Sequence, residues 1–447
     1  MQKYVMDYLE TLRKAMTFAK SIPHVKLPMG PEDFGRTGLK FAQVNPQRTL
    51  GFAFPGVRLM RKMAAHMHSN DPVYMRAASF REFEKKVANA ALDLYEARDS
   101  LGSEHVAAIE SAIKRWFEER TASMQLLIPC AIHPSRAESF AIGPVTFVHA
   151  TDLATVGVTE TSDLELMERM FRERGGCWIA SVTIEAEQTR LRELAELAVD
   201  LALAALHIAM PEQVIMCRLT GRARHNWSGV WTNQSGWVSH GVDNLEPGRT
   251  MSPEFFSAAL VQIEPVLNEL GTKISSFINV RRPMPRVETA WCDALYWYLE
   301  AIQDDVDTTA IAKFEICLEN IAEAGSLHKS SSKIRALLRI FLRVSGGQPI
   351  LEGGTLSAAD FVSELVTGRS RILHGTSSTL SSRLQLDRGE AGEVARRLLM
   401  ITGLGMKQFL ETHPAEASIG DYAKWADRLV NTDVESSNAG ENAASST

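Results

Sequence analysis

Hydrophobic residues in the first part of the chain recur mostly at the spacing of amphipathic helices. Between residues 23 and 55 prolines and glycines interrupt this pattern, so irregular structure is expected there. The predicted helices cover about residues 1–21, 57–68, 72–98 and 103–121. Residues 1–121 are therefore predicted to form a mainly helical N-terminal region.

The pattern changes at residues 124–132, a continuous apolar run that is typical of a buried strand. Residues 139–148 contain two short β-prone runs around Gly143 and Pro144, which predicts a hairpin. Further strands are predicted at 177–184, 214–219 and 230–242, and helices at about 191–205 and 253–280. Residues 122–282 are therefore predicted to form an α+β region.

The two prolines of residues 279–286 (NVRRPMPR) are expected to break a helix and mark a boundary. The apolar stripes beyond it predict helices at 291–302, 311–321, 334–341, 358–367, 390–410 and 422–429. Residues 284–430 should thus form an all-α helical bundle. The last residues, 431–447, contain few apolar side chains, so a disordered tail is expected. The whole chain is predicted to be α+β, with a mixed, sensor-like N-terminal part.

Composition excludes several classes of protein. The chain has 447 residues, a formal net charge of −6 and five scattered cysteines, which suit a reducing compartment and form no disulfide framework. Neither CxxC nor a helical pair of histidines at metal-ligand spacing occurs, so no metal and no cofactor is expected. The longest apolar run, 197–210, contains Asp200 and His207 and is too short to span a bilayer. We expect a soluble, cytoplasmic protein without a signal peptide.

The sharpest chemical feature is the segment RSRILHG, residues 369–375. It separates Arg369 from His374 by four residues. Histidine exchanges protons near neutral pH, and arginine stabilises negative charge that grows on a phosphate. Spacing alone is weak evidence, because the chain contains a second such pair, Arg61 and His66, on an ordinary helical face. The helical context of the Arg369 pair distinguishes it.

Residues 284–430 resemble a HEPN domain, in particular the ApeA-like branch of phage-defence ribonucleases. The resemblance lies in the segments WCDALYWYLEAI (291–302), FEICLENI (314–321) and RSRILHG (369–375), in this order and with helical spacers. The family motif is Arg, a polar residue, a variable stretch and His. Arg369, Ser370 and His374 match it and are candidate catalytic residues, although Ser370 stands where the family usually has asparagine. The acidic residue of the family's second helix is best matched by Glu319, with Glu315 as the alternative.

The resemblance implies an all-α HEPN bundle that is a metal-independent endoribonuclease. In that mechanism the 2′-hydroxyl of the RNA attacks the adjacent phosphate and leaves a 2′,3′-cyclic phosphate. His374 would be the general acid/base, Arg369 would stabilise the pentacoordinate phosphate, and Glu319 would orient the pair. The family also implies a homodimer whose two motifs face one cleft, and a role in antiviral defence or abortive infection. By analogy, the N-terminal region would sense a phage-derived or nucleotide trigger.

A basic stripe supports an RNA partner. Residues 329–343 carry five positive and no negative charges, with arginines at i, i+4 and i+8. The candidate RNA-binding residues are Arg335, Arg339, Arg343, Lys333 and Arg371. Two other interpretations stay open. The helical domain could bind RNA or a partner protein without catalysis, and its Arg/His pair would then be structural. Alternatively, it could be a nucleotide-binding regulatory module.

Overall fold

The structure is a computed structural model that describes most of the chain. The described residues are 7–21, 44–45, 50–132, 138–157, 165, 178–210, 216–218, 227–232, 238–243, 252–304, 306–323, 327–354, 356–373 and 386–429. Its class is α+β, as predicted, with long helices and small sheets. The predicted tail at 431–447 lies outside the described residues.

The chain forms two compact units, each assembled from separate segments. The first contains Met1–Met124, Ile184–Leu194 and Val280–Pro283, and the second contains Gln125–Thr183, Ala195–Asn279 and Met284–Thr447. The predicted division into consecutive regions 1–121, 122–282, 284–430 and 431–447 stays a prediction.

The first unit combines helices with a small antiparallel sheet of strand order β1-β3-β2. Its elements are α1 (Tyr8–Met16), β1 (Ala19–Ser21), β2 (Val44–Asn45), β3 (Leu50–Phe52), α2 (Phe54–Asn70), α3 (Pro72–Ala77), α4 (Phe80–Leu92), a 3₁₀ turn (Tyr95–Ser100) and α5 (Ser103–Arg120). The strands β2 and β3 fall in the stretch that was expected to be irregular. Buried side chains from α1, α2, α4 and α5 form the core, among them Leu12, Met63, Phe83 and Ile113.

The predicted single helix at 72–98 is wrong. The chain becomes extended at Ala78, which separates α3 from α4. The Nε2 atom of His68 lies 3.1 Å from the carbonyl oxygen of Ala78 and forms a hydrogen bond with it. This contact joins residues ten positions apart, so the helical periodicity of 72–98 contains no sign of the break.

The second unit contains most of a five-stranded sheet of order β5-β6-β7-β4-β8 and a separate antiparallel pair of strands, β9 and β10. The elements of this part of the chain are β4 (Thr121–Ile132), β5 (Phe140–Ile142), β6 (Val145–His149), a 3₁₀ segment (Ala150–Val156), β7 (Trp178–Glu187), α6 (Gln188–Ala209), β8 (Met216–Arg218), β9 (Trp227–Thr232), β10 (Val238–Asp243) and α7 (Pro253–Ile278). Of these, β4, β7 and α6 have residues in both units. The predicted hairpin around Gly143 is confirmed, since β5 and β6 pair antiparallel. The single strand predicted at 230–242 is instead the antiparallel pair of β9 and β10.

From residue 286 onward, the described residues of the second unit are mainly helical, as predicted. Its elements are α8 (Arg286–Ile302), α9 (Asp307–Ala322), α10 (Leu327–Leu337), a π-helical turn (Leu338–Leu342), α11 (Ala358–Leu373), α12 (Arg388–Leu410) and α13 (residues 419–429). Helix α9 packs against α8, α10, α11 and α12. This central position brings side chains of α9 close to residues of several neighbouring helices.

Aromatic residues hold the helices of the second unit together. Trp291 of α8 is fully buried, and its indole N–H donates a 2.9 Å hydrogen bond to the carbonyl of Leu399 on α12. Tyr298, also on α8, forms a 2.8 Å hydrogen bond between its hydroxyl and Nδ1 of His207 on α6.

Among the described helices, none has both the length and the apolarity needed to cross a membrane.

Candidate functional site

The sequence-predicted residues Arg369 and Glu319 lie together in the structure. Arg369 is in the last turns of α11, and its Nη1 atom donates a 2.7 Å hydrogen bond to Oε2 of Glu319 on α9. The alternative acidic residue, Glu315, faces the same guanidinium, with its Oε2 atom 2.9 Å from Nε. Both glutamates fit the predicted position because residues four apart on a helix share one face.

The two contacts differ in kind. The Glu319 contact is a charge-assisted hydrogen bond, whereas the Arg369 Nε group and Glu315 do not meet hydrogen-bond geometry. The Glu315 contact is therefore a close approach of the two polar groups without a hydrogen bond. Neither carboxylate oxygen of Glu315 has a hydrogen-bond donor among the described residues.

Burial makes this charge arrangement unusual. The side chain of Glu315 is fully buried, while the side chains of Glu319 and Arg369 are 17% and 20% exposed. Burial, reinforced by the negative charge of Glu319, raises the pKa of Glu315 to about 8, although Arg369 opposes the shift. One guanidinium cannot neutralise two buried carboxylates. We infer that Glu315 carries a proton at neutral pH.

A serine completes the cluster. Ser330 on α10 is fully buried, and its hydroxyl donates a 2.5 Å hydrogen bond to Oε1 of Glu319. Ser330, Glu319 and Arg369 thus connect α10, α9 and α11 through consecutive hydrogen bonds. Together with Glu315, these three residues are called the Arg369 cluster below.

The other motif residues are placed as follows. Ser370 is partly buried and Arg371 is exposed, both on α11 next to Arg369. His374 follows Leu373, the final residue of α11, in the sequence, but lies outside the described residues. The distance between Arg369 and His374 therefore stays a prediction.

The residues of the basic stripe have different surroundings. Arg335 is exposed, and Arg343 is exposed at the end of the π-helical turn. Arg339 forms a bidentate ion pair with Asp427, at 3.1 and 3.3 Å. Lys333 donates a hydrogen bond to the carbonyl of Glu323, the residue that ends α9 with a left-handed backbone. Arg335 and Arg343 are therefore better candidates for RNA contact than Arg339 and Lys333.

The second Arg/His pair serves as an internal comparison. His66 on α2 forms a 2.7 Å hydrogen bond between Nδ1 and the hydroxyl of Tyr8, and Arg61 lies over the ring of Phe80 at 6.0 Å. No acidic pair faces Arg61 among the described residues, in contrast to Arg369. This agrees with the structural interpretation of the Arg61/His66 pair.

Sequence reasoning missed Ser330. It belongs to a run of three serines, 330–332, in which the sequence distinguishes no member. The only available signal was helical phase, because Ser330 precedes the buried Ile334 by four residues and shares its face.

Within the described parts of the chain, no group of three or more His, Cys, Asp or Glu residues is arranged to hold a metal ion.

Comparisons with known proteins add no relative. No protein-family model matches the chain, and no curated protein or solved structure matches it. The resemblance to HEPN domains therefore rests on the sequence segments quoted above, and the Arg369 cluster is the structural feature that bears on function.

Proposed function

We propose that the helical part of the second unit is a HEPN-type, metal-independent endoribonuclease with Arg369 and His374 as its catalytic residues. The observation that carries this proposal is the contact of Arg369 with Glu319 and Glu315. An arginine held by acidic residues of a neighbouring helix is what the HEPN-like motif leads one to expect. An isolated surface arginine would not need such support.

The cluster leaves part of the guanidinium for a substrate. Nε and Nη1 face the two glutamates, while Nη2 has no acceptor among the described residues. A side chain that is 20% exposed can present this remaining N–H group to a phosphate oxygen. In the proposed role, Nη2 of Arg369 stabilises negative charge on the phosphate as it becomes pentacoordinate.

The reaction needs only the RNA and protein side chains. The 2′-oxygen of the RNA bonds to phosphorus and loses its proton, and the bond from phosphorus to the 5′-oxygen breaks as that oxygen gains a proton. His374 is the proposed general acid/base for these transfers. The products are a 2′,3′-cyclic phosphate and a 5′-hydroxyl. Arg335 and Arg343 would contact the RNA backbone, with Ser370 and Arg371 beside the site.

The assembly and setting are proposals that rest on the family resemblance. We propose a homodimer whose two copies of the motif share one cleft, acting in the cytoplasm in antiviral defence or abortive infection. The N-terminal part would lower the activity of the enzyme, without abolishing it, until a phage-derived or nucleotide trigger binds.

The decisive experiment compares the wild-type chain with His374→Ala and His66→Ala on end-labelled RNA in excess EDTA. We expect the wild type and His66→Ala to cleave, and His374→Ala to lose at least about a hundredfold in rate. Sensitivity of the product's 3′ end to a cyclic-phosphate-removing kinase identifies the chemistry. Circular dichroism checks that each variant is folded.

Two outcomes would contradict the proposal. Cleavage by folded His374→Ala at the wild-type rate would remove the catalytic assignment. Loss of wild-type cleavage in EDTA would instead indicate a metal-dependent nuclease.

A second candidate function is supported by the burial of Glu315. A fully buried carboxyl beside a mostly buried guanidinium can act purely to hold α9 and α11 together. The protein would then be a non-catalytic RNA- or partner-binding regulator. RNA binding by a wild-type chain that does not cleave RNA would favour this candidate.

A further inference from the structure

Ser330 has an environment that its sequence neighbours lack. It is fully buried, whereas Ser332 on the same helix is exposed and donates a 3.0 Å hydrogen bond to the carbonyl of Lys329. Serines inside helices usually bond to a carbonyl of the preceding turn, as Ser332 does. The hydroxyl of Ser330 instead bonds to a carboxylate on another helix.

The bond from Ser330 acts on the orientation of Glu319. The two oxygens of that carboxylate have separate partners: Oε1 accepts from Ser330 and Oε2 accepts from Arg369. With both oxygens held, rotation of the carboxylate would break one hydrogen bond. The plane of the carboxylate then determines the direction of Nη1, and with it the direction of the whole planar guanidinium.

We propose that Ser330 is a positioning residue of the ribonuclease site, which fixes Glu319 so that the open edge of Arg369 faces the phosphate. This inference rests on the proposed function. Ser330 touches neither RNA nor Arg369 in this role and acts only through Glu319. Removal of its hydroxyl leaves Oε1 without its donor in a mostly buried place, so the carboxylate rotates to find another. The guanidinium then loses its fixed direction.

The kinetic test uses three serine variants of the full chain. Ser330→Ala removes the hydroxyl, Ser330→Thr keeps it, and Ser332→Ala is a matched control two residues away. Because the guanidinium acts on the transition state, we expect Ser330→Ala to lower kcat roughly tenfold to a hundredfold, with KM nearly unchanged. Ser330→Thr should recover most of the loss, and Ser332→Ala should match the wild type.

A purely structural role would give a different result. It would lower the melting temperature of Ser330→Ala without changing kcat of the folded protein below that temperature. Wild-type kcat in folded Ser330→Ala would overturn the proposal, and so would an equal loss in Ser332→Ala.

A second measurement separates this inference from the proposed function. The side-chain ¹⁵Nε and ¹Hε resonances of Arg369 report its surroundings without any RNA. We expect them to shift in Ser330→Ala and to stay in place in Ser332→Ala. If the wild type does not cleave RNA, the proposed function fails, and the positioning of Arg369 is judged by these resonances alone. Unchanged resonances in Ser330→Ala would overturn it.

Discussion

Glu315 is the residue whose ionisation links the candidate site to the stability of the protein. In the unfolded chain Glu315 loses its proton near the ordinary glutamate pKa of 4.5. In the folded protein burial raises the pKa of Glu315 to about 8, so the residue keeps its proton up to about that pH. Between these values the folded protein binds more protons than the unfolded chain. The contribution of Glu315 to the free energy of unfolding should therefore fall as the pH rises through this window, by up to about 1.4 kcal/mol per pH unit.

Glu315→Gln tests this expectation, because glutamine resembles the protonated carboxyl and does not ionise. Between pH 4.5 and 8, urea unfolding should show a flatter pH dependence for the variant than for the wild type. The exposed Glu416 provides the control, since Glu416→Gln should keep the wild-type slope. Identical slopes for wild type and Glu315→Gln would mean that Glu315 is ionised in the folded protein.

At the residue scale, the sequence was sufficient to predict part of the cluster. Arg369 and Glu319 were identified, and Glu315 was the stated alternative. The structure brings both glutamates to the same guanidinium, because they are four positions apart on α9 and share one face. The excess of two carboxyl groups over one guanidinium at a buried site could not be predicted, since it depends on the complete burial of Glu315 by neighbouring helices. Ser330 could not be predicted because its partner is on a different helix.

Among the elements, the β5–β6 hairpin and α7 approach each other closely through their backbones. Gly143 forms the turn of the hairpin with a positive φ of 58°, and Gly271 lies in α7. A Cβ atom on Gly271 would lie 2.3 Å from the backbone nitrogen of Gly143 and 2.7 Å from its Cα. Side chains cannot relieve this clash, since both groups belong to the backbone.

Gly271→Ala should therefore destabilise the protein. In an unconstrained helix the substitution would add about 1 kcal/mol of stability. Here we expect a loss of about 1–3 kcal/mol, measured by urea unfolding, because the hairpin must move away from α7. Gly347→Ala is the control, since a Cβ atom there meets no other atom within 4 Å. A gain in stability for Gly271→Ala would show that hairpin and helix are not in contact.

At the element scale, long helices were predicted best. The apolar stripes of α8, α9, α11 and α12 are regular because each of these helices buries one face in a shared core. Features set by contacts distant in the sequence were missed. They include the break at Ala78 and the short strand β3, which is stabilised by pairing with β1 and β2.

For the whole molecule, the net charge of −6 disfavours general attraction to RNA. Binding must then depend on a local basic surface. Arg335 is, like Arg343, an exposed member of the basic stripe, and no ion-pair partner faces it among the described residues. We expect Arg335→Glu to weaken RNA binding and to flatten the plot of log K against log salt by roughly one unit.

The control for this charge reversal is Arg58→Glu, at an exposed position on α2 in the first unit. It changes the net charge equally. Fluorescence anisotropy with a labelled RNA at several salt concentrations measures both variants. An equal effect of the two substitutions would remove the basic stripe from the RNA-binding surface.

The interleaved path of the chain limits how the catalytic part can be isolated. A fragment that begins at residue 284 would contain the bundle helices but lack 195–279, which belongs to the same compact unit. Tyr298 would lose His207, and Arg396 would lose the carbonyl of Ile208, to which it donates a 2.9 Å hydrogen bond. Such a truncated protein would expose apolar surface that is buried in the intact unit, and we expect it to aggregate. A lack of toxicity on expression of this fragment would be an effect of the truncation. It would not show whether the intact protein cleaves RNA.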